Sequence, residues 1–252
     1  MTTTRRGLAA LAAGAALAAI APVPAASATS PTATSAPTTT GRHRRGRLLA
    51  ADDFRHGLGQ WVTELQDGGS VTAAGGVLGI DVPSGATVWF KQRLRGPYVI
   101  EYTATPVSAG GVNDRVSDLN NFWNATDVRS PEDIFATPRG GALDEYDHLT
   151  TYYVGYGANY NTTTRLRRYI GQPGVRPLIH DYTEPLLTAN APHRVRIVSQ
   201  GSTVRWWNNG RLVFDYTDPE PYTAGHFAFR TTWSHFRISE FRVWRYSHLA
   251  KS

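Results

Sequence analysis

The feature that most constrains the fold is a succession of short β-capable runs separated by turn signals, and its clearest example spans residues 193–216. That segment, HRVRIVSQGSTVRWWNNGRLVFDY, alternates apolar and polar residues and carries Asn209-Gly210 between two of its runs. An Asn-Gly pair favours a two-residue hairpin turn, because both positions readily adopt positive φ. The same pattern recurs from Ala51 onward, without an apolar stripe of helical period of useful length. The sequence therefore predicts an all-β domain of antiparallel hairpins, a sandwich or jelly roll.

The first 28 residues are typical of an export signal. Arg5-Arg6 precedes an Ala/Leu-rich run at 7–20, and the small residues Ala26 and Ala28 resemble a signal-peptidase site. The apolar run is too short and too rich in alanine for a membrane span. The opening TRRGLA resembles a twin-arginine signal, although two arginines also occur in general secretory signals. We predict a signal peptide at residues 1–28 and a secreted, extracellular protein.

Two further segments follow the signal. Residues 29–48, SPTATSAPTTTGRHRRGR and its flanks, are rich in Pro, Ser, Thr and Arg and have nothing to bury, which predicts a disordered linker. Residues 49–252 contain no later low-complexity break, which predicts a single β domain. The chain has no cysteine, so this domain needs a well-packed core in place of disulfides, and thiol catalysis is excluded.

The net charge of +6 is carried almost entirely by arginine, since Lys91 and Lys251 are the only lysines. A protein that grips nucleic acid would spread lysines over a patch and present a recognisable motif, and the sequence has neither. An acidic polysaccharide fits the same charge without those demands. We therefore expect a saccharide partner, no nucleic acid, no membrane, and a monomer.

The stretch YYVGYGANYNTTTRLRRY, residues 152–169, concentrates aromatics, arginines and asparagines. Strand alternation places Tyr152 and Tyr156 on one face of the first run, and Arg165 and Arg167 on one face of the next run, together with its last tyrosine. Aromatic rings with a polar edge suit sugars, and a guanidinium binds a carboxylate through two parallel hydrogen bonds. The pattern predicts a cleft for an acidic carbohydrate. The alternative is a solvated β face with arginines for solubility and tyrosines packed across strands.

A second polar region surrounds the strand candidate 119–125, between Ser108 and Leu149. Asn, Asp and Trp are dense here, and a loop this long in a compact domain is usually functional or disordered. We predict a binding rim, although Asn and Asp also favour turns for local reasons. Trp123, and Trp233 further along, lie among polar residues and are predicted to stack on sugar rings.

Several motifs resemble a known superfamily. The opening DDFRHGLGQW, the hairpin VRWWNNGRLVFDY and the GHFAFR segment with its final amphipathic strand resemble concanavalin-A-like lectins and glucanases. LNNFWNATD, YYVGYGANYNTTTRLRRY and DYTDPEPYTAGHFAFRTTWSH resemble the YesU-like proteins found with pectin and rhamnogalacturonan utilisation systems. The resemblance covers roughly Ala51 to Tyr246. It implies an antiparallel two-sheet jelly-roll β-sandwich whose concave face holds sugar, and a role with an acidic plant-type polysaccharide.

A polyuronate lyase needs a group that neutralises the carboxylate, a base for the α proton, and an acid for the leaving oxygen. Arginine and asparagine suit the first role, histidine or tyrosine the second, and tyrosine the third, by analogy with jelly-roll alginate lyases. The predicted catalytic residues are Tyr152, Tyr156, Arg167, Arg230 and His235. The predicted substrate-binding residues are Asn120, Trp123, Asp127, Asn159, Arg165, Tyr169 and Trp233. A loop role for His235 stays open.

Two other functions stay open. Glycoside hydrolysis needs two carboxyl groups across the scissile bond, and the nearest candidates, Glu145 and Asp147, lie beside glycines in a predicted turn. A noncatalytic lectin-like domain would need fewer titratable residues than this chain concentrates in its motifs. We predict no catalytic metal and no cofactor, while a structural calcium bound by loop oxygens such as Asp118 or Asp127 remains a further alternative.

Overall fold

The computed structural model describes residues 44–247, in which antiparallel strands make up most of the regular structure. In chain order the strands are Arg44–Asp52 (β1), Trp61–Leu65 (β2), Ser70–Ala74 (β3), Val77–Phe90 (β4), Leu94–Arg95 (β5), Tyr98–Pro106 (β6), Leu119–Asp127 (β7), Leu149–Gly157 (β8), Thr163–Ile170 (β9), Leu178–Tyr182 (β10), His193–Gln200 (β11), Thr203–Asn208 (β12), Arg211–Thr217 (β13) and Ala224–Ser247 (β14). The predicted all-β class is confirmed. The predicted hairpin turn is also present, since Asn209 and Gly210 join β12 to β13 with φ of 47° and 81°.

Two long strands, β4 and β14, pass through both layers of a sandwich. The first residues of β14 pair with β7 and its last residues pair with β6 and β1. The strand turns the corner at Trp233, where φ is 42° and the register with β4 shifts between Thr232 and Ser234. Layer A contains β10, β9, β8, β7, the first part of β14, the end of β4, and β2. Layer B contains β13, β12, β11, β6, the rest of β14, β1, the start of β4, and β3.

The main core lies between the layers and is rich in aromatic rings. Trp61 packs at ring-centroid distances of 5.2 Å from Phe90, 5.4 Å from Phe229 and 5.0 Å from Phe241. All four side chains are at most 3% exposed. Fully burying a side chain of this size stabilises a fold by roughly 1.5–3 kcal/mol. Because the chain has no cysteine, the packing of these rings stabilises the domain where disulfide bonds cannot.

A second apolar cluster lies on the outer face of layer A, beneath residues 128–148, which we call the cover loop. Its Tyr146, in the short 3₁₀ helix Leu143–Tyr146, packs on Trp89 and Phe122 of the sheet. Gly141 brings the loop backbone against β2 and β4, where a Cβ would lie 2.8 Å from the Gly85 carbonyl oxygen. With φ of +97° as well, this position requires glycine. The long loop predicted from the sequence is thus an ordered cover over half of one sheet face.

The start of the domain differs from the predicted boundary. Strand β1 begins at Arg44, and its residues pair with the end of β14 from Arg44↔Ser247 to Asp52↔Phe241. Residues 44–48 are therefore part of the sheet, because its edge satisfies their backbone hydrogen bonds. The predicted signal peptide and the rest of the linker lie outside the described residues. Within residues 44–247 there is no helix long and apolar enough to cross a membrane.

Candidate functional site

Strand register brings a polar row together on the outer face of layer A, at the edge of the cover loop and partly beneath it. Arg165 pairs with Gly155, Gly155 with Asn120, and Asn120 with Arg230, on four adjacent strands. In the next row, Arg167 pairs with Tyr153. We call the resulting set the arginine face; its members are Arg165, Arg167, Arg230, Asp118, Asn120 and Tyr153.

The guanidinium groups of the arginine face are held mainly by neutral acceptors. Arg230 is 4% exposed, donates to Thr87 Oγ1 at 2.9 Å and the Gly141 carbonyl oxygen at 3.0 Å, and lies over the Tyr146 ring. Arg167 donates to the carbonyl oxygen of Arg176. Among residues 44–247, neither Arg167 nor Arg230 forms an ion pair. Their positive charge is therefore available to an anionic ligand.

Two buried polar atoms of this face have no hydrogen-bond partner in the described part of the protein. They are the amide oxygen of Asn120 and Nε of Arg165. Arg165 also forms an ion pair of 3.3 Å with Asp181 at the edge of the layer. Leaving a buried donor or acceptor unpaired costs about 1–3 kcal/mol. Other atoms of this kind occur elsewhere among residues 44–247, but these two lie beside Arg230 and Arg167, whose charges have no carboxylate partner, an arrangement that suits a polar ligand.

Asp118 is the carboxyl group of the arginine face. It accepts hydrogen bonds from Arg115 Nη2 at 2.7 Å and from Ser117 Oγ at 2.6 Å, and its φ is 65°. Burial raises the pKa of Asp118, and the Ser117 hydroxyl, the Arg115 charge and a hydrogen bond from Asn120 only partly oppose this. A carboxylate with a raised pKa is a stronger base, which suits proton transfer.

Tyr153 presents its phenol on the same face. Burial raises the pKa of Tyr153 far above its ordinary value, and Tyr169 and Asp118 raise it further, while Arg230 and Arg167 lower it. The phenol is therefore protonated near neutral pH and can donate a proton or a hydrogen bond. The two guanidinium groups would stabilise a phenolate left behind.

Tyr152 and Tyr156, predicted as catalytic acids, lie on the opposite side of β8 and are fully buried in the main core. Tyr152 donates to Asp218 Oδ2 at 2.6 Å, and Tyr156 donates to the Leu186 carbonyl oxygen at 2.9 Å. Alternation turns both inward while Tyr153 faces outward, so the structure does not bring them beside Arg165 and Arg167, and their catalytic role stays a prediction.

Three predicted substrate-binding residues are also buried. Trp123 is 0% exposed and packs on Tyr152 in the main core. Asp127 is 0% exposed and forms ion pairs with Arg129 at 2.7 Å and Arg139 at 3.1 Å. Tyr169 is 1% exposed and belongs to the cluster on the outer face of layer A. All three side chains pack against other residues of the protein, and their binding roles stay predictions.

Two other predicted residues lie away from the arginine face. His235 pairs with Asp81 beyond the corner of β14, and its Nδ1 lies 2.8 Å from Asp114 Oδ1. Asn159 lies in the left-handed turn Ala158–Asn161 and donates to Thr162 Oγ1. The structure gives neither residue a contact with Arg167 or Arg230, so the predicted base does not join the predicted carboxylate-binding groups.

The carboxylates considered for hydrolysis or calcium have structural partners. Glu145 accepts from the backbone N–H of Gly140 at 2.8 Å, and Asp147 accepts from Arg176. Asp118 and Asp127 both bind guanidinium groups. Within residues 44–247 there is no group of three histidine, aspartate or glutamate side chains arranged to hold a metal ion. Calcium binding stays a prediction.

The sequence did not place Asp118 or Tyr153 beside the arginines, and Asp118 was considered only as a calcium ligand. The register of β8 with β9 places Tyr153 there, because the turn between the strands fixes which residues pair. Counting from Gly155↔Arg165 places Tyr153, and neither Tyr152 nor Tyr156, beside Arg167. Asp118 follows an irregular segment, and nothing in the sequence marks its burial.

These observations define a galectin-like, concanavalin-A-like β-sandwich with a polar site on the outer face of one layer. The chain belongs to the family described as Domain of unknown function (DUF6250), which matches residues 80–241. A search of curated proteins found no match.

Comparison with solved structures confirms the predicted fold. A Bacillus subtilis protein of unknown function with a galectin-like fold has 19% identity and a TM-score of 0.69, over 82% of this chain and 100% of that chain. The carbohydrate-binding module CBM66 from Bacillus subtilis has 11% identity and a TM-score of 0.51, over 73% and 95%. An endo-β-1,3-glucanase from Pyrococcus furiosus has 11% identity and a TM-score of 0.55, over 81% and 95%.

Proposed function

We propose that the protein is a secreted carbohydrate-active protein whose arginine face binds an acidic polysaccharide. The observation that carries the proposal is the pairing of unpartnered buried polar atoms, on Asn120 and Arg165, with the neighbouring charges of Arg167 and Arg230. A uronate supplies what these groups lack, a carboxylate for the guanidiniums and hydroxyls for the amide oxygen. The substrate class we propose is pectic or rhamnogalacturonan-type, in keeping with the YesU-like motifs.

The reaction that the arginine face fits best is β-elimination. Arg167 and Arg230 bind the uronate carboxylate and lower the pKa of the adjacent C5 proton. Asp118 takes that proton as the C5–H bond breaks, and the electron pair forms the C4–C5 double bond. The C4–O bond breaks at the same time, and the Tyr153 hydroxyl gives its proton to the leaving oxygen. Proton exchange with solvent returns both groups to their starting states.

Hydrolysis fits the arginine face less well, because it needs two carboxyl groups roughly 5–10 Å apart. Two other carboxylates of this side of layer A, Asp181 and Glu64, lie on strands in the same row, while Asp127 is held by Arg129 and Arg139. Asp181 is three strands from Asn120 in one direction, and Glu64 is three strands away in the other, through Arg230. Three strand spacings are about 14 Å. We therefore propose a lyase ahead of a hydrolase.

The alternative is a noncatalytic carbohydrate-binding domain. One structure of similar fold is a carbohydrate-binding module, and another is the carbohydrate recognition domain of Emp47p. Such a domain would use the same charges to bind an acidic saccharide without turnover. The two functions share the ligand and differ in whether Asp118 and Tyr153 transfer protons.

One experiment separates these functions. The purified chain is incubated with pectic, rhamnogalacturonan and arabinogalactan fractions, while ultraviolet absorbance and new reducing ends are followed together. We expect both to rise with an acidic fraction, and to be lost in Arg167→Ala but kept in Arg205→Ala, whose ion pair with Asp215 lies on layer B. Reducing ends without absorbance would support a hydrolase, and retention on a fraction without product would support the binding domain. An absence of both would contradict the proposal.

Export belongs to the proposal as well. The described residues do not include the predicted signal peptide. Expression of the full chain in a secreting bacterial host should yield extracellular protein whose N-terminus follows Ala28. Retention of the intact N-terminus inside the cell would contradict secretion.

A further inference from the structure

Two aromatic side chains project from the rim beside the arginine face. Tyr160 is 69% exposed and Trp233 is 42% exposed, whereas Trp207 and Trp244 are half-buried and the tryptophans at 61, 89, 123 and 206 are at most 3% exposed. Water-facing rings of this size are unusual in a monomeric protein and often mark a binding surface. Tyr160 comes from the turn after β8, and Trp233 comes from the corner of β14.

Arg115 joins the two rings into one unit. Its guanidinium carbon lies 4.8 Å from the Tyr160 ring centroid and 5.1 Å from that of Trp233. Both rings are therefore held against one cation while they remain exposed to solvent. Arg115 Nε donates to the Trp233 carbonyl oxygen at 2.9 Å, and Trp233 Nε1 donates to the Val112 carbonyl oxygen at 3.1 Å. These bonds hold the rings in place before any ligand arrives.

The backbone at both aromatic positions is strained. The φ of Tyr160 is 59° and that of Trp233 is 42°, in the left-handed region that bulky residues rarely adopt. Strain of this kind persists where the surrounding structure holds it, and it clusters at ligand sites. Glycine or asparagine would adopt the same conformation more readily, so folding alone does not explain an exposed aromatic residue at both places.

The same arginine connects the rim to the centre of the arginine face. Arg115 Nη2 donates to Asp118 Oδ2 at 2.7 Å, and Asp118 is itself a member of the arginine face, two residues before Asn120. One side chain therefore separates the exposed rings from the group that we propose as the base. A saccharide chain that places one unit on the arginine face would carry its next unit towards these rings.

We propose that Tyr160 and Trp233, braced by Arg115, form a stacking subsite for a neighbouring sugar unit of the same chain. The ligand is thus an oligosaccharide of at least two units, with a carboxylate on one unit and an apolar ring face on the next. This subsite rests on the proposed function, because it takes the same saccharide chain that Arg167 and Arg230 bind. Stacking on one aromatic ring is expected to change affinity by about 3- to 10-fold.

The test measures how affinity depends on the length of the saccharide and on the removal of each aromatic ring. Mono-, di- and tetrasaccharides prepared from the retained acidic fraction are titrated calorimetrically into the wild-type protein and into Trp233→Ala, Tyr160→Ala and Tyr160→Phe. The wild type should bind the tetrasaccharide at least about tenfold more tightly than the monosaccharide. Trp233→Ala and Tyr160→Ala should lose about 3- to 10-fold for the longer ligands and nothing for the monosaccharide, and Tyr160→Phe should bind like the wild type.

Tyr182→Ala is the matched control, because Tyr182 is an exposed ring, 41% accessible, at the far edge of layer A, where it stacks on Phe214. Its affinities should equal those of the wild type. If the wild type gains affinity with length and both ring variants keep that gain, the subsite is overturned and the proposed function stands. If the wild type binds no saccharide of any length, both the subsite and the proposed function are overturned. If Trp233→Ala does not fold, the affinities of Tyr160→Ala decide, because the Tyr160 side chain is highly exposed.

Discussion

The outer face of layer A uses arginine in two opposite ways. In the cover loop, the side chain of Arg139 is 1% exposed and forms ion pairs with Glu64 at 3.0 Å and Asp127 at 3.1 Å. At and beyond the edge of the cover loop, Arg230 and Arg167 are held by neutral oxygens, one of them the Gly141 carbonyl oxygen of the loop. Arg139 is neutralised by the protein and supports the fold. The other two arginines retain a charge that a ligand can neutralise, so the partners of an arginine, more than its burial, indicate its role.

The largest effect on stability is expected when the Arg139 side chain is removed. Arg139→Ala leaves the carboxylates of Glu64 and Asp127 buried without their shared partner, which should cost about 3–5 kcal/mol of unfolding free energy. Chemical denaturation measures this cost. Arg205→Ala, which removes an exposed ion pair with Asp215, should cost less than about 1 kcal/mol. Equal costs for the two variants would mean that Arg139 and its two carboxylates are not a structural cluster.

Two adjacent tyrosines on opposite faces of β8 test which face carries the proposed catalytic site. Tyr153→Phe should lower turnover of the acidic polysaccharide by about 100-fold or more, since it removes the proposed acid, with little change in stability. Tyr152→Phe should keep turnover and lose about 1.5–3 kcal/mol of unfolding free energy, because its hydrogen bond to the buried Asp218 is lost. Turnover and denaturation are measured on both variants. The reverse assignment of effects would return the catalytic role to the inward-facing tyrosine.

Arg167→Ala tests whether the charge of Arg167 serves ligand binding or the stability of the fold. We expect affinity for the acidic saccharide to fall about 10- to 100-fold, as for loss of a hydrogen bond to a charged group, with less than about 1 kcal/mol lost in stability. Affinity chromatography on the immobilised polysaccharide measures the first effect and thermal unfolding the second. A large loss of stability with unchanged retention would assign Arg167 to the fold.

The smallest effect is a difference in pH dependence between Asp118 and Asp127. Burial raises the pKa of Asp118 above its ordinary 3.8, so the stability of the wild type falls as pH rises from that value through the folded pKa. Burial alone would also raise the pKa of Asp127, but Arg129 and Arg139 hold it below 3.8. The stability from Asp127 is therefore present above 3.8 and lost as pH falls through its folded pKa.

The corresponding asparagine variants should show opposite trends. The measured quantity is the unfolding free energy of the variant minus that of the wild type. For Asp118→Asn this difference should increase between about pH 4 and pH 7. For Asp127→Asn it should decrease as pH rises from acid to about pH 7. Denaturation across this range measures both trends. Parallel trends in the two variants would contradict the difference in environment.

Parts of the arginine face could be predicted from the sequence. Arg165, Arg167, Arg230 and Asn120 were selected because of their chemistry beside aromatic residues, and they do lie together. Tyr152, Tyr156 and Trp123 face the main core, because the sequence shows that alternate residues face opposite sides but the pattern at Tyr152–Tyr156 does not show which side is core. Asp127 lies on the outer face, where Arg129 and Arg139 bind it. Both sides of β8 carry tyrosines, so composition could not choose between them.

The sequence by itself determined the all-β class, the hairpin turn at Asn209 and the confinement of positive charge to arginine, because each of these depends on local preference or residue type. Only the tertiary structure decided that Tyr153 and Asp118 join the arginines, that residues 128–148 cover half of the sheet, and that Arg115 braces two exposed rings. Those features depend on strand register and on contacts between residues far apart in the chain, such as Arg115 with Trp233. Local sequence carries almost no information about such contacts, since their energy arises only when the layers have packed.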